Sequence, residues 1–203
     1  MIRKEIDEII KEVGEDKFQN PSTTSYKFKR GVWDFFSDPK FLKLNCVEFG
    51  THKGQTTRLL SFLFNHVYTI NLAGHFSEAK KLNYDVKNIS FIEMDLYNTP
   101  VEKNFKHKPV NVFFIDAVHT TDAVLTDFAR SKELELGGGD VYYIFDDYGL
   151  YREVYHAIEQ LVMTGQLEKV QYIGHEPNHT FNNSKIHNKT LNDWEGVICK
   201  LVR

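Results

Sequence analysis

The chain has 203 residues, with 25 Lys+Arg against 28 Asp+Glu, for a formal net charge of −3. That length suits one domain with a real core, and the 41% apolar share argues against disorder. No stretch nears the roughly 18–20 apolar residues of a bilayer span, and the mild acidity gives no reason to expect a nucleic-acid partner. The first residues lack the apolar core of a signal peptide. Cys46 and Cys199, far apart and each in an apolar run, suit neither a zinc site nor a disulfide framework. They read as buried thiols of a reduced, cytoplasmic protein.

In chain order, Ile2, Ile6, Ile9, Ile10 and Val13 share one helical face before Gly14. Residues 15–30 read as a polar connecting arm, and residues 31–42 as a short aromatic helix interrupted near Pro39. A βα rhythm follows. Strands are predicted at Leu44–Phe49, His66–Leu72, Ile89–Met94, Val110–Ile115 and Val141–Phe145. Helices are predicted at 53–64, 77–84, 120–133 and 150–164, with a turn at Gly137–Gly139. Val170–Ile173 and Val197–Val202 close the chain as an antiparallel pair. Such alternation predicts a doubly wound, mostly parallel sheet with its chemistry at the carboxyl ends of the strands. The expected organisation is a helical arm over 1–43 and a sheet domain over 44–203. The polar stretch 174–193, with His175, His179 and His187, reads as a solvated loop that covers a site together with the arm.

Three segments carry chemistry. Val47-Glu48-Phe49-Gly50-Thr51-His52-Lys53-Gly54-Gln55-Thr56 joins a strand to a helix through two glycines. The first permits a tight turn, the second permits close approach of backbone to a ligand, and the helix N-terminus behind them favours an acceptor. Phe114-Ile115-Asp116-Ala117-Val118-His119 ends a buried strand in a carboxylate, and Phe145-Asp146-Asp147-Tyr148 ends the next in two. If these strands are neighbours, about 4.8 Å apart, Asp116, Asp146 and Asp147 converge. Three carboxylates at one point call for a cation, and all-oxygen ligation suits Mg²⁺, Mn²⁺ or Ca²⁺. Tyr148 and Tyr151 either border the acceptor pocket or pack on the helix. Arg152 either pairs with a carboxylate or faces solvent.

Together these segments resemble the class I S-adenosylmethionine-dependent methyltransferases. The likeness is greatest to the small-molecule branch of macrocin- and mycinamicin-type O-methyltransferases and cephalosporin-hydroxylase-like proteins. The resemblance implies a Rossmann-like seven-stranded α/β sheet with one antiparallel strand and S-adenosylmethionine as cofactor. It implies that Glu48, Phe49, Gly50, Thr51, Gly54, Gln55 and Thr56 line the cofactor at its methionine end. Asn71 stands where the family carries an acidic ribose ligand. Asp95 and Leu96 meet the adenine, and Asp116 also borders the cofactor. It implies Asp116, Asp146 and Asp147 as divalent-metal ligands and His119 as general base, with Asp116 sharing the catalytic role. The expected reaction is Mg²⁺-dependent O-methylation of a small hydroxylated metabolite such as a sugar. The helix N-terminus and the cation are expected to keep His119 neutral. The alternatives are a binding protein of the same fold without methyl transfer, or a cephalosporin-hydroxylase-like relative with different chemistry. With about forty N-terminal residues and one loop left for recognition, the acceptor is expected to be small, or a second subunit of a homo-oligomer supplies the missing wall.

Overall fold

The computed structural model describes residues 7–8, 24–99, 108–174 and 194–203. The predicted helix before Gly14 and the three histidines of 174–193 therefore lie largely or wholly outside the described residues. The first described long helix, α1 (Tyr26–Phe36), starts five residues earlier than the sequence suggests. Ser25 caps it, its Oγ accepting from Phe28 N at 2.9 Å. The periodicity is masked by Lys29, which occupies the buried stripe with Phe28, Val32, Trp33 and Phe36. Phe28 and Lys29, read from sequence as part of a connecting arm, are thus buried in the core, and residues 15–23 of that arm lie outside the described residues. A short 3-10 turn at Phe41–Lys43 leads into the sheet.

The remaining elements are β1 (Asn45–Phe49), α2 (Gln55–Leu63), β2 (His66–Asn71), α3 (Ser77–Leu82), β3 (Ile89–Glu93), β4 (Val112–Ile115), α4 (Thr121–Ser131), β5 (Tyr142–Phe145), α5 (Arg152–Met163), β6 (Leu167–Ile173) and β7 (Gly196–Leu201). They form one seven-stranded sheet in the order β3-β2-β1-β4-β5-β7-β6. The β1–β2, β1–β4, β2–β3 and β4–β5 pairs are parallel, and β7 runs antiparallel to both β5 and β6. This is the doubly wound sheet the sequence predicts. The start of β6 is misread from sequence because a register shift between Lys169 and Gln171 breaks the alternation.

The central strands β1 and β4 are buried on both faces. On one face Val47, Phe49, Phe113, Tyr143 and Phe145 pack against α4 and α5 through Val124, Phe128, Ala157 and Ile158. On the other, Cys46, Val112, Phe114 and Ile144 pack against α1 and α2 through Phe28, Val32, Phe36, Leu59 and Leu60. Each such side chain contributes roughly 1.5–3 kcal/mol through burial. Both cysteines are free and buried. Among the described residues, no helix is long and apolar enough to cross a membrane.

Candidate functional site

The register sets the site. Phe49 pairs with Ile115, and Ile115 with Phe145, so Gly50, Asp116 and Asp146 stand in a row where β1, β4 and β5 end. Asp116 N donates to Phe49 O at 2.9 Å and Asp146 N to Ile115 O at 3.3 Å, fixing the row through the backbone. Gly50 has φ +97°, and a β-carbon there would collide with the carbonyl oxygen of Asp116. The chain can bring these two turns together only at glycine. Gly54, at φ +75°, serves packing too: a β-carbon would lie 2.8 Å from Ala79 Cβ. The close approach that Gly54 permits is to α3.

Thr120 caps α4, its Oγ1 accepting from Ala123 N at 3.3 Å, which leaves Asp116 and His119 for other partners. His119 Nε2 lies 2.9 Å from Asp147 Oδ2 and 3.3 Å from Asp116 Oδ1. Asp147 reaches it from a left-handed backbone (φ +60°), a conformation Asp tolerates better than most residues and one that recurs at functional sites. The His119 ring stacks on Tyr151 at 4.5 Å between centroids. The carboxylates of Asp116 and Asp147 and the His119 imidazole thus form one ligand-capable group, with their donor atoms within 4.8 Å of one another.

Asp146 stands beside this group and is buried, and its Oδ1 has no hydrogen-bond partner among the described residues. Burial pushes its carboxyl well above the usual range, and the charges of Asp147, Asp116 and Glu195 push it further. Burial raises Asp116 to about 6, while the hydrogen bond to His119 and the charge of Lys29 pull the other way. For His119, burial opposes the charged form, but Asp116 and Asp147 prevail and raise it to about 10. With no cation beside them the two carboxylates favour the charged imidazolium; the neutral base expected from sequence was expected with a cation at the same point. Two carboxylates within hydrogen-bonding reach outweigh a helix N-terminus.

The other predicted residues are placed as follows. Glu48 is fully buried between β1, β2 and α2. Its Oε2 accepts from Thr57 and Thr69, both at 2.5 Å, and its Oε1 has no partner among the described residues. Burial raises it to about 8 against those two bonds. Thr51 is buried and shares a hydrogen bond with Thr69 at 2.5 Å. Gln55 and Thr56 form the half-buried first turn of α2. Phe49 and Leu96 point into the core. Asn71 Oδ1 accepts from Leu72 N at 2.9 Å. Asp95, beyond β3, binds its own loop: Oδ2 accepts from Asn98 Nδ2 at 2.7 Å and Oδ1 from Tyr97 N at 3.0 Å. The Asn98 amide, then the Tyr97 N–H, hold its carboxyl below the usual range.

Tyr148 is buried and donates to Glu159 Oε1 at 2.8 Å, so it packs on α5. Tyr151 stands at the site. Arg152 Nε meets His156 Nε2 at 3.1 Å. Sequence reasoning missed Lys29 and Glu195. Both are buried at the same edge, with Ser25 N donating to Glu195 Oε1 at 2.6 Å. No local pattern distinguishes these residues from solvated charges.

The chain matches no protein-family model and no curated protein. Solved structures do resemble it. A proposed O-methyltransferase from Klebsiella pneumoniae aligns with a TM-score of 0.64 at 13% identity, over 98% of this chain and 89% of its own. A proposed methyltransferase from Streptococcus mutans, in complex with SAH, aligns at 0.57 and 14% identity, over 84% and 96% of the two chains. Fibrillarin from Aeropyrum pernix, with natively bound S-adenosyl-L-methionine, aligns at 0.56 and 16%, over 81% and 68%. At such identities the likeness is one of architecture: the chain has the Rossmann-like seven-stranded α/β fold of these methyltransferase structures.

Proposed function

We propose that this protein is an S-adenosylmethionine-dependent methyltransferase that O-methylates a small hydroxylated molecule with the help of a divalent cation. The observation that carries the reading is the group Asp116, His119 and Asp147 beside the Gly50 turn. It lies at the carboxyl edge, where doubly wound folds bind ligands. The ligands in the similar structures, SAH and S-adenosyl-L-methionine, support the choice of cofactor.

In this reading the turn of Glu48 to Thr56 receives the methionine end of the cofactor. Glu48 Oε1 has no partner among the described residues but is shut away from solvent, and the α2 N-terminus offers donors. Asn71, Asp95 and Leu96 receive the ribose and adenine. Asp116 and Asp147, grouped with His119, would be the residues to hold a Mg²⁺ or Mn²⁺ ion; Asp146, expected from the resemblance as a third ligand, lies outside that group, though it is buried beside it with an Oδ1 that has no partner among the described residues. Such a cation, when bound, acidifies a coordinated hydroxyl. Were Asp116 and Asp147 to hold such a cation, they would hold the His119 proton less firmly, and His119 would then be the residue placed to take the proton of the acceptor hydroxyl. Tyr151, stacked on His119, fixes the plane of the imidazole.

A second reading, a cofactor- or metal-binding protein without methyl transfer, is favoured by Asn71. Its amide oxygen is engaged by its own chain and is less free to accept from a ribose hydroxyl. Titration calorimetry with S-adenosylmethionine and with Mg²⁺ tests the leading reading, and lack of binding of both ligands overturns it. Given binding, a panel of sugars and phenols assayed for SAH release separates the two readings. Asp116→Ala and Asp147→Ala are expected to abolish Mg²⁺-dependent turnover with the fold intact. His119→Ala is expected to lower turnover by roughly 10²-fold or more, the usual contribution of a general base.

A further inference from the structure

A ribose presents two neighbouring hydroxyls, and in doubly wound folds a carboxylate about 20 residues after the glycine turn accepts from them. A carboxylate has two acceptor oxygens. An amide has one, beside an NH₂ group that only donates. At Asn71 that one oxygen already accepts from Leu72 N. The end of β2 therefore lacks the group a ribose requires, and the acceptor must come from elsewhere along the edge.

The register of the sheet shows where. Phe49 pairs with Ile70, Ile70 with Ile92 and Asn71 with Glu93. The row of Asp146, Asp116 and Gly50 thus runs on through Asn71 to Glu93, the last residue of β3. Gly50 N donates to Ile70 O at 3.0 Å and Met94 N to Asn71 O at 2.9 Å, which holds this half of the row through the backbone. Paired residues of neighbouring parallel strands, about 4.8 Å apart, turn their side chains to the same face. Val67 and Ile89, four residues earlier in the two strands, both belong to the core on the α2 side. Thr69, two residues before Asn71, shares a hydrogen bond with Thr51 of the glycine turn at 2.5 Å. Phe91, two residues before Glu93, meets the Phe76 ring ahead of α3 at 5.3 Å between centroids. Asn71 and Glu93 therefore stand side by side between the Gly50–Gly54 turn and the start of α3. Glu93 is exposed, and among the described residues it makes no hydrogen bond or ion pair. Lys80 is a cation on the same face, its Nζ lying over the rings of Phe76 and Phe91 at 5.4 and 5.9 Å.

We propose that Glu93, one strand further out than the usual position, accepts the ribose hydroxyls of the cofactor, and that Asn71 is an amide because a second carboxylate beside Glu93 would repel it. Like charges at directly paired positions of a sheet destabilise each other, so the edge carries one acid at this pair of positions, on β3 and not on β2. This assignment rests on the S-adenosylmethionine reading given above. With it, Asn71 no longer weighs against that cofactor.

The test is titration calorimetry of the full chain with SAH and with the 2′,3′-dideoxy analogue of SAH, which keeps every group but the two hydroxyls. Glu93→Gln is expected to weaken SAH by about tenfold or more, the usual worth of hydrogen bonds to a charged acceptor, and to leave the analogue within about twofold of wild type. Returning the acid to β2, by Glu93→Gln together with Asn71→Asp, should bring SAH back to within about threefold of wild type, as the coupling of paired neighbours requires. Because Glu93 is exposed at the end of an edge strand, Glu93→Gln should keep the Tm of wild type. Equal weakening of SAH and the analogue in that variant would mark a structural role and overturn the assignment. Unchanged SAH affinity in Glu93→Gln, or a wild-type chain that binds both ligands equally well, would overturn it too while leaving the cofactor reading in place. Failure of the wild-type chain to bind SAH at all would overturn the cofactor reading and this assignment together.

Discussion

Asp127 lies on the inner face of α4 without solvent exposure, and burial raises its carboxyl to about 7, offset only in part by the hydroxyl of Tyr97. The unfolded chain releases this proton near pH 4 and the folded chain near pH 7. The folded state therefore binds the extra proton in between, and Asp127 makes stability fall as pH rises from 4 to 7, with no further change above. Asp127→Asn should remove that fall. The variant should gain about 3 kcal/mol on wild type between pH 4 and pH 8, read from urea unfolding at the two pH values. Gly50 gives a second single-residue prediction. Its φ of +97° and its contact with the Asp116 carbonyl make Gly50→Ala costly by about 3 kcal/mol or more, visible as a lower Tm. The same substitution should push the Asp116 turn away from β1, so that any Mn²⁺ affinity falls with it.

At the scale of elements, α1 depends on the residue that caps it. Ser25 accepts from Phe28 N and donates twice to the buried Glu195, once through its backbone N–H, which a substitution leaves in place. Ser25→Ala should cost about 2–4 kcal/mol, the sum of a lost cap and a carboxylate oxygen stripped of its donor. It should lower the urea midpoint without changing the m-value. The strands from β1 to β5 were legible because each is an apolar run closed by glycine or by a polar turn. The beginning of α1 was not, since Lys29 reads as a solvated charge until the sheet is in place. The beginning of β6 was not either, because one extra residue near Val170 reverses the facing of its side chains. Among the chemical groups, supposing two neighbouring strand ends brought together Asp116, Asp146 and Asp147, with His119 entering through the resemblance; the structure groups Asp116, His119 and Asp147 and leaves Asp146 beside them. Thr57, Thr69, Lys29 and Glu195 could not be placed in that way. Thr69 and Glu195 meet partners on distant elements, Glu48 and Ser25, and Thr57 and Lys29 bond groups that only the turn into a helix brings near; local patterning carries no trace of such pairs.

For the whole molecule, the sheet grades from a fully buried centre to half-exposed margins. β1 and β4 are buried along their length, whereas β3 has no buried residue and β6 alternates with solvent. Hydrogen exchange should follow that gradient. Amides of Cys46–Phe49 and Val112–Ile115 should exchange only with global unfolding, and those of Ile89–Glu93 through local opening several kcal/mol cheaper (roughly 2–4 below the global value). Equal protection across the sheet would show instead that it opens as one unit.

The placement of β7 between β5 and β6 has a consequence for synthesis. Tyr142–Phe145 leaves the ribosome some fifty residues before its antiparallel neighbour Gly196–Leu201. β6 likewise has no partner until that strand arrives. During that interval the nascent chain carries an open, aromatic strand edge, the kind of surface that recruits chaperones or seeds association between chains. Closing the sheet from its interior makes the last insertion the step that commits the molecule. It is also the step that brings Glu195 to Ser25 and so draws the two ends of the fold together behind the aspartates.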